Sequence, residues 1–264
     1  MSTRIASLPD RALVRVSGPE ARTFLNVLLT QAVLTLQPGE LRFGALLSPP
    51  GRLLFDLFLF GEDDGVLLDV AVDRRDALIQ RLTLYRLRAD VTIQPAEGTV
   101  QVLWPAASDT PGTPDPRLPA LGHRHYGAPL PPTAEAADWH DHRLSHGIPD
   151  PARDGGTDTT YPIEADFDLL NGIDFSKGCF IGQETTSRMK RRGAIRNRML
   201  ALEVEGDLPP FGTEVLNGDR RAGQTLSGLG NRVIALLRLD RLDGPLTVEG
   251  RSARPVWPDW LPRD

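Results

Sequence analysis

The stretch FSKGCFIGQETTSRMKRRG, residues 175–193, holds the only cysteine in a chain of 264 residues. Cys179 follows Lys177-Gly178 and precedes Gly182. Gln183 and Glu184 then open a short helix carrying Thr185, Thr186, Ser187 and Arg188. A thiol just ahead of a helix start, near a lysine and arginines, sits where dipole and cations favour the thiolate. Glycines beside it let another backbone or a ligand come close. Basic residues 188, 190, 191, 192, 196 and 198 follow with no acid between them. The bland alternative is a small buried hydrophobe followed by a solvated basic face.

Downstream, from about residue 195, the texture changes. IRNRMLALEVEG, TEVLN, NRVIALLRL and LTVEGRSARPV are short strands with Gly, Asn or Asp between them. Close spacing of this kind marks a small barrel or sandwich. Upstream, residues 134–145 read as a helix ended by Gly147 and Pro149. Residues 105–118, AASDTPGTPDPRLP, form a Pro-rich loop.

The first hundred residues mix strands and helices. ALVRV (12–16) is a strand, and Ser17 is placed to cap a following helix. On that helix Ala21, Phe24, Leu25 and Leu28 recur at i, i+3, i+4 and i+7. RFGALLS and GRLLFDLFLFG flank Ser48-Pro49-Pro50-Gly51 as a hairpin. GVLLDVAV is another strand, and a helix runs from Asp73 or Asp76 to about Arg88. VTIQP and TVQVLWP add two more strands. The lack of regular β-α-β alternation points to α+β rather than a doubly wound sheet. We divide the chain into an N-terminal α+β region (1–104), the Pro-rich loop (105–118), a second α+β region holding the cysteine (119–194) and a C-terminal β-rich part (195–264).

Bulk properties narrow the function classes. Net charge is −5 with a pI near 5.6, so no global field draws nucleic acid. The basic run has no interleaved aromatics to stack bases, and direct nucleic-acid binding is not expected. One cysteine excludes an internal disulfide. No apolar run approaches the roughly 20 residues of a membrane span. The N-terminus lacks the apolar core of a signal peptide, which suggests a cytoplasmic protein. HDHRLSH (140–146) sets His142 and His146 at helical spacing, but a metal site needs further ligands and no second cluster stands out beyond His123 and His125. No permanently bound metal is expected. A thiol enzyme would need His140, His142 or His146 close to Cys179, and nothing in the sequence places them there.

The cysteine stretch resembles the signature of the YgfZ family, folate-binding proteins that support iron–sulfur cluster assembly. The family pattern, Lys-Gly-Cys-aromatic-x-Gly-Gln-Glu and then Arg-x-x-x-Arg-Gly, is matched by Lys177, Gly178, Cys179, Phe180, Gly182, Gln183, Glu184, Arg188, Arg192 and Gly193. VRVSGPEARTFLNVLLTQAV, LLSPPGRLLFDLFLF, WHDHRLSHGIP and YPIEADFDLLNGIDFSKGC look like the family's other segments. The resemblance implies an aminomethyltransferase-like fold: α+β folate-binding domains around a central channel, with a small C-terminal β-barrel. It implies a folate cofactor, tetrahydrofolate or a relative, and iron–sulfur enzymes or assembly proteins as partners. It also implies support for 4Fe–4S enzymes, including tRNA-modifying ones, by an accessory factor rather than a conventional enzyme.

The same resemblance assigns residues. Cys179 would be the functional thiol, with Lys177 beside it. Trp139, Glu164, Asp56 and Gln183 would face the folate, and Arg188 or Arg192 its glutamate tail through bidentate pairs. Arg11 stands where better-known members carry an aromatic. The alternatives are a tetrahydrofolate-dependent aminomethyltransferase or a folate-binding protein of tRNA modification. The transferases carry adjacent aspartates where this chain has Phe55 and a single Asp56, which argues against aminomethyl transfer.

Overall fold

The computed structural model describes residues 2–155, 158–193 and 195–262, without the side chain of Arg192. Strands β1 (Arg4–Ser7) and β2 (Arg11–Ser17) come before helix α1 (Ala21–Leu28). Strands β3 (Leu41–Leu47), β4 (Leu53–Glu62) and β5 (Gly65–Ala71) form a meander leading to α2 (Arg75–Arg86) and β6 (Thr92–Ala96). Short strands β7 (Gln101–Trp104), β8 (Thr113–Pro114) and β9 (His123–His125) lead to α3 (Ala136–Ser145) and then α4 (Gln183–Arg192). Six more strands follow: β10 (Asn197–Val204), β11 (Glu214–Asn217), β12 (Arg220–Leu229), β13 (Arg232–Arg238), β14 (Leu246–Val248) and β15 (Arg251–Val256).

These strands make a five-stranded sheet, β3-β4-β5-β2-β6, a four-stranded sheet, β1-β7-β9-β8, and a closed six-stranded barrel. The apolar run of β4 is explained by burial on both faces. Phe55, Leu57 and Leu59 pack with α1 and α2 in one core. Phe58 points to the opposite face of the pleat and joins Phe43, Phe167 and Met199 in a second core. Helix α1 buries Ala21, Phe24, Leu25 and Leu28, the stripe its spacing dictates. Burying each large apolar side chain contributes about 1.5–3 kcal/mol, so truncating Leu25 would loosen this face.

Two local expectations change. Ser17 does not cap α1; it ends β2, and Gly18 at φ +112 turns the chain so that the helix starts after Glu20. A left-handed glycine cannot continue into a right-handed turn, which moves the start by several residues. The Pro-rich segment is not loop throughout: it holds the short strand β8, and Asp115 and Arg117 at its end are buried. The C-terminal strands close as the expected small barrel: the first, β10, pairs with the last, β15, through Ala201–Val204.

Candidate functional site

Cys179 is exposed, on the loop between residue 173 and α4. That loop is held from several directions. Asp174 Oδ1 accepts from the Ser176 amide (2.8 Å), the Ser176 hydroxyl (2.6 Å) and the Lys177 amide (3.1 Å), fixing a tight turn. The Asp174 amide donates to the Thr30 carbonyl at 3.0 Å. The Thr30 hydroxyl donates to the Gly172 carbonyl at 2.7 Å. Phe180 is buried in the second core, so the residue after the thiol is an anchor. A Cβ added at Gly178 would meet nothing within 4 Å, so the surface beside the sulfur is open.

Lys177 is not a partner of the thiol. Its Nζ donates to the carbonyls of Asn26, Leu29 and Gln31, all within 3.0 Å. A cation on the last carbonyls of α1 offsets the negative end of the helix. Burial pulls the Lys177 ammonium down to about 8, with Asp174 opposing. The lysine therefore ties the cysteine loop to the end of α1.

Glycine is required at two positions. Gly182 (φ +80) and Gly51 (φ +91) meet back to back. A Cβ on Gly182 would lie 2.7 Å from Gly51 Cα, and one on Gly51 would lie 3.0 Å from Thr185 Cβ. The Pro-Pro-Gly turn between β3 and β4 thus seats the start of α4.

The basic run is divided by its partners. Arg198 is buried and bonds Asp166 (2.8 Å) and Asp168 (2.9 Å), and Lys190 bonds Asp168 at 3.1 Å. Arg188 and Arg191 are exposed. Among the described residues Arg188 has no ion pair, and Arg191 bonds only the Ser187 carbonyl. An open cleft of about 580 Å³ beside α4 is lined by Phe175, Gln183, Glu184, Ser187, Lys190 and Arg191. Among the described residues the positive surroundings read from the sequence thus come from Arg188, Lys190 and Arg191 on α4 and from the exposed Arg196 beyond it.

The residues named for folate do not converge. Asp56 and Trp139 line one central cavity, with Arg11, Phe43, Phe58, Arg117, Arg124 and Arg143. Glu164 is elsewhere: it accepts from the Tyr161 amide (3.0 Å) and from Asn197 Nδ2 (2.9 Å), joining a turn to the start of β10. Gln183 and Arg188 are on α4 and do not line the central cavity. The Arg192 side chain lies outside the described residues. Sequence spacing could not separate these places, because each depends on tertiary packing.

The cavity itself measures about 20 Å³, room for about one water. Around it lies an ionic cluster that the sequence reading missed. Arg11 bonds Asp69 Oδ1 at 2.6 Å and Asp56 Oδ2 at 3.1 Å. Arg124 and Tyr126 donate to Asp69 Oδ2 at 2.5 and 3.0 Å. Arg117 makes a two-pronged pair with Asp115 at 3.0 and 2.8 Å. Guanidinium carbons of Arg124, Arg117 and Arg11 lie 3.8, 4.8 and 5.7 Å from the Phe58 ring centre. Burial alone would raise the Asp69 carboxyl, but Arg11 and Arg124 together hold it below the usual range. Asp56 goes the other way: burial raises it and Arg11 only partly opposes. The one available signal was Arg11, a charge where the family resemblance expects an aromatic.

The histidines are committed elsewhere. His140 is bonded by Arg153 and lies beside Asp10; burial and the neighbouring Arg143 and Arg153 push it down to about 4. His142 bonds the Ala120 carbonyl at 2.9 Å and stacks on Trp104. Among the described residues no group of three or more His, Cys, Asp or Glu is placed to hold a metal, and no helix is long and apolar enough to cross a membrane.

Comparison with known proteins gives this architecture a family. Residues 196–263 match the model of the CAF17 C-terminal beta-barrel domain. Nearly the whole chain aligns with the mitochondrial iron-sulfur cluster assembly factor IBA57 of Homo sapiens, at 31% identity over 97% of this chain and 84% of that protein. The chain belongs to the IBA57 family of iron–sulfur cluster assembly factors. The Mus musculus member is 30% identical over 97% of this chain and 84% of its own length. The Pyricularia oryzae member is 30% identical over 94% of this chain and 74% of its own. In structure, the chain is similar to the glycine cleavage system aminomethyltransferase T of Bartonella henselae, with a TM-score of 0.75, 16% identity and coverage of 96% and 84%. That likeness establishes an aminomethyltransferase-like fold and not the transferase reaction.

One expectation is overturned by these relatives. The sequence reading placed the protein in the cytoplasm, whereas the matching IBA57 proteins are mitochondrial. The physical reason is simple. Composition and the absence of an apolar span describe a water-compatible surface, and a protein of an organelle interior has the same surface. An address read by a receptor leaves no mark on the folded core.

Proposed function

We propose that this member of the IBA57 family handles iron–sulfur clusters through Cys179, presented as one ligand to a cluster whose remaining ligands come from a partner protein. The observation that carries this is the exposed thiol on a pinned loop, with open space at Gly178 and a buried anchor at Phe180. A cluster bound by one chain needs about four protein ligands, and a single cysteine supplies one. Such geometry suits transient sharing and not storage. The cluster is cargo here.

The resemblance of the 177–193 signature to the YgfZ pattern supports the finer reading that the clients are 4Fe–4S enzymes. IBA57 relatives named as assembly factors support an accessory role in place of turnover chemistry. No step of this reading runs through folate.

The test is genetic rescue. In cells lacking the protein, activity of a 4Fe–4S dehydratase is measured with wild type, Cys179→Ser and Cys179→Ala. Wild type restores activity and neither variant does. Full rescue by both variants refutes the role of the thiol.

A further inference from the structure

We infer that the centre of this chain is closed to folate, because its own arginines occupy the aromatic wall and the carboxylates that a pterin would need. Sites for small organic ligands span roughly 300–1,000 Å³. The central cavity offers about 20 Å³. A pterin needs a flat apolar face to stack on. Phe58 and Phe43 are the wall phenylalanines with that shape: Arg124, Arg117 and Arg11 already lie over Phe58, and Phe43 packs on Phe58 and Phe167 with Arg117 5.5 Å from its ring centre. Trp139 packs edge-on against Trp104 at 5.4 Å and lies 5.7 Å from the His142 ring, and it is 2% exposed.

A pterin also needs an acid for its amidine edge. Of the acids lining the cavity, Asp56 is held by Arg11, Asp150 by Arg153 and Arg143, and Asp10 through Oδ2 by Arg153, with only its Oδ1 left unpartnered among the described residues; behind them Asp69 is taken by Arg11, Arg124 and Tyr126. Admitting a ring would mean separating these buried pairs and leaving charges uncompensated. The glutamate tail fares no better. The neighbouring cleft of about 240 Å³ is lined by Asp10, Asp73 and Asp150 against Arg11 and Arg153, a net negative mouth that repels carboxylates. The described arginines of α4 without an ion pair, Arg188 and Arg191, do not line the cavity.

This chain is thereby set apart from the folate chemistry its fold suggests. The ionic cluster acts as an internal strut between β2, β4, β5 and β9 where a ligand would otherwise sit. Neither Cys179 nor iron takes part in it, so an open centre would leave the cluster-handling role of the thiol standing, and the converse holds.

The experiment titrates the full wild-type chain with 5-formyltetrahydrofolate, an oxidation-resistant reduced folate, by calorimetry, with amide chemical shifts followed in parallel. The expected result is no saturable heat up to about 1 mM, a Kd weaker than that value, and no shifts at Arg11, Phe58 or Trp139. Saturable binding with shifts confined to α4 or the barrel also leaves the centre closed. Saturable binding with shifts at Arg11, Phe58 and Trp139 overturns the inference.

Discussion

Asp69 and Asp56 are both buried, both bonded to Arg11, and predicted to respond oppositely to neutralisation. Asp69→Asn keeps the shape and removes the charge that compensates Arg11 and Arg124. Breaking a buried ion pair by removing one partner costs about 3–5 kcal/mol. Asp69 belongs at that end, since it meets two guanidiniums and the Tyr126 hydroxyl. The fold already disfavours ionised Asp56, so Asp56→Asn should cost under about 1 kcal/mol. The pH signs differ as well. The folded Asp69 pKa lies below its unfolded value, so its stabilisation is present above about pH 3.9 and is lost as pH falls through the folded pKa. The folded Asp56 pKa lies above its unfolded value, so its ionisation costs stability as pH rises, and Asp56→Asn removes that cost. In urea unfolding the Asp69→Asn midpoint loss should persist at pH 7 and near pH 4, while the cost of ionised Asp56 is present at pH 7 and gone near pH 4. Equal losses for the two variants at pH 7, or a loss under about 1 kcal/mol for Asp69→Asn, would refute this account of the cluster.

Two further outcomes follow from the loop geometry. Gly182→Ala forces a side chain into the left-handed region and against the Gly51 backbone, and should cost about 2 kcal/mol or more in the urea midpoint; an unchanged midpoint would contradict the back-to-back contact. Lys177→Met removes three charge-assisted bonds to the end of α1, so amide exchange in residues 174–182 should speed up about tenfold or more while the barrel amides stay unchanged; unchanged exchange there would show that the lysine does not hold the loop.

Much of this molecule was legible where the signal is local. The stripe of α1 follows from a 3.6-residue period, and the β3–β4 hairpin from a Pro-Pro-Gly turn between apolar runs. Strands β1 and β9 escaped because they are four and three residues long and pair only with distant β7 or its neighbour β8. The barrel was expected from the family resemblance; strand spacing alone left barrel and sandwich open, because closure depends on β10 meeting β15, some fifty residues later. At the site, the sequence left open whether Cys179 is a small buried hydrophobe or an accessible thiol, because its exposure depends on how the loop is held in the fold. The role of Lys177 was not, because adjacency in sequence says nothing about which way a four-carbon stem turns. Arg11 stood out as an irregular residue, yet its partners Asp56 and Asp69 come from two other strands and are joined to it only by the sheet.

The measurement that bears most directly on the central claim is alkylation of Cys179. The native chain is labelled with iodoacetamide alone and then with a cluster-loaded assembly protein present, and the same mixture with cluster-free protein serves as control. Rapid labelling alone and in the control, with loss of labelling when the cluster is present, is the predicted result. Equal labelling in all three, or a thiol that resists alkylation in the native chain, would contradict it.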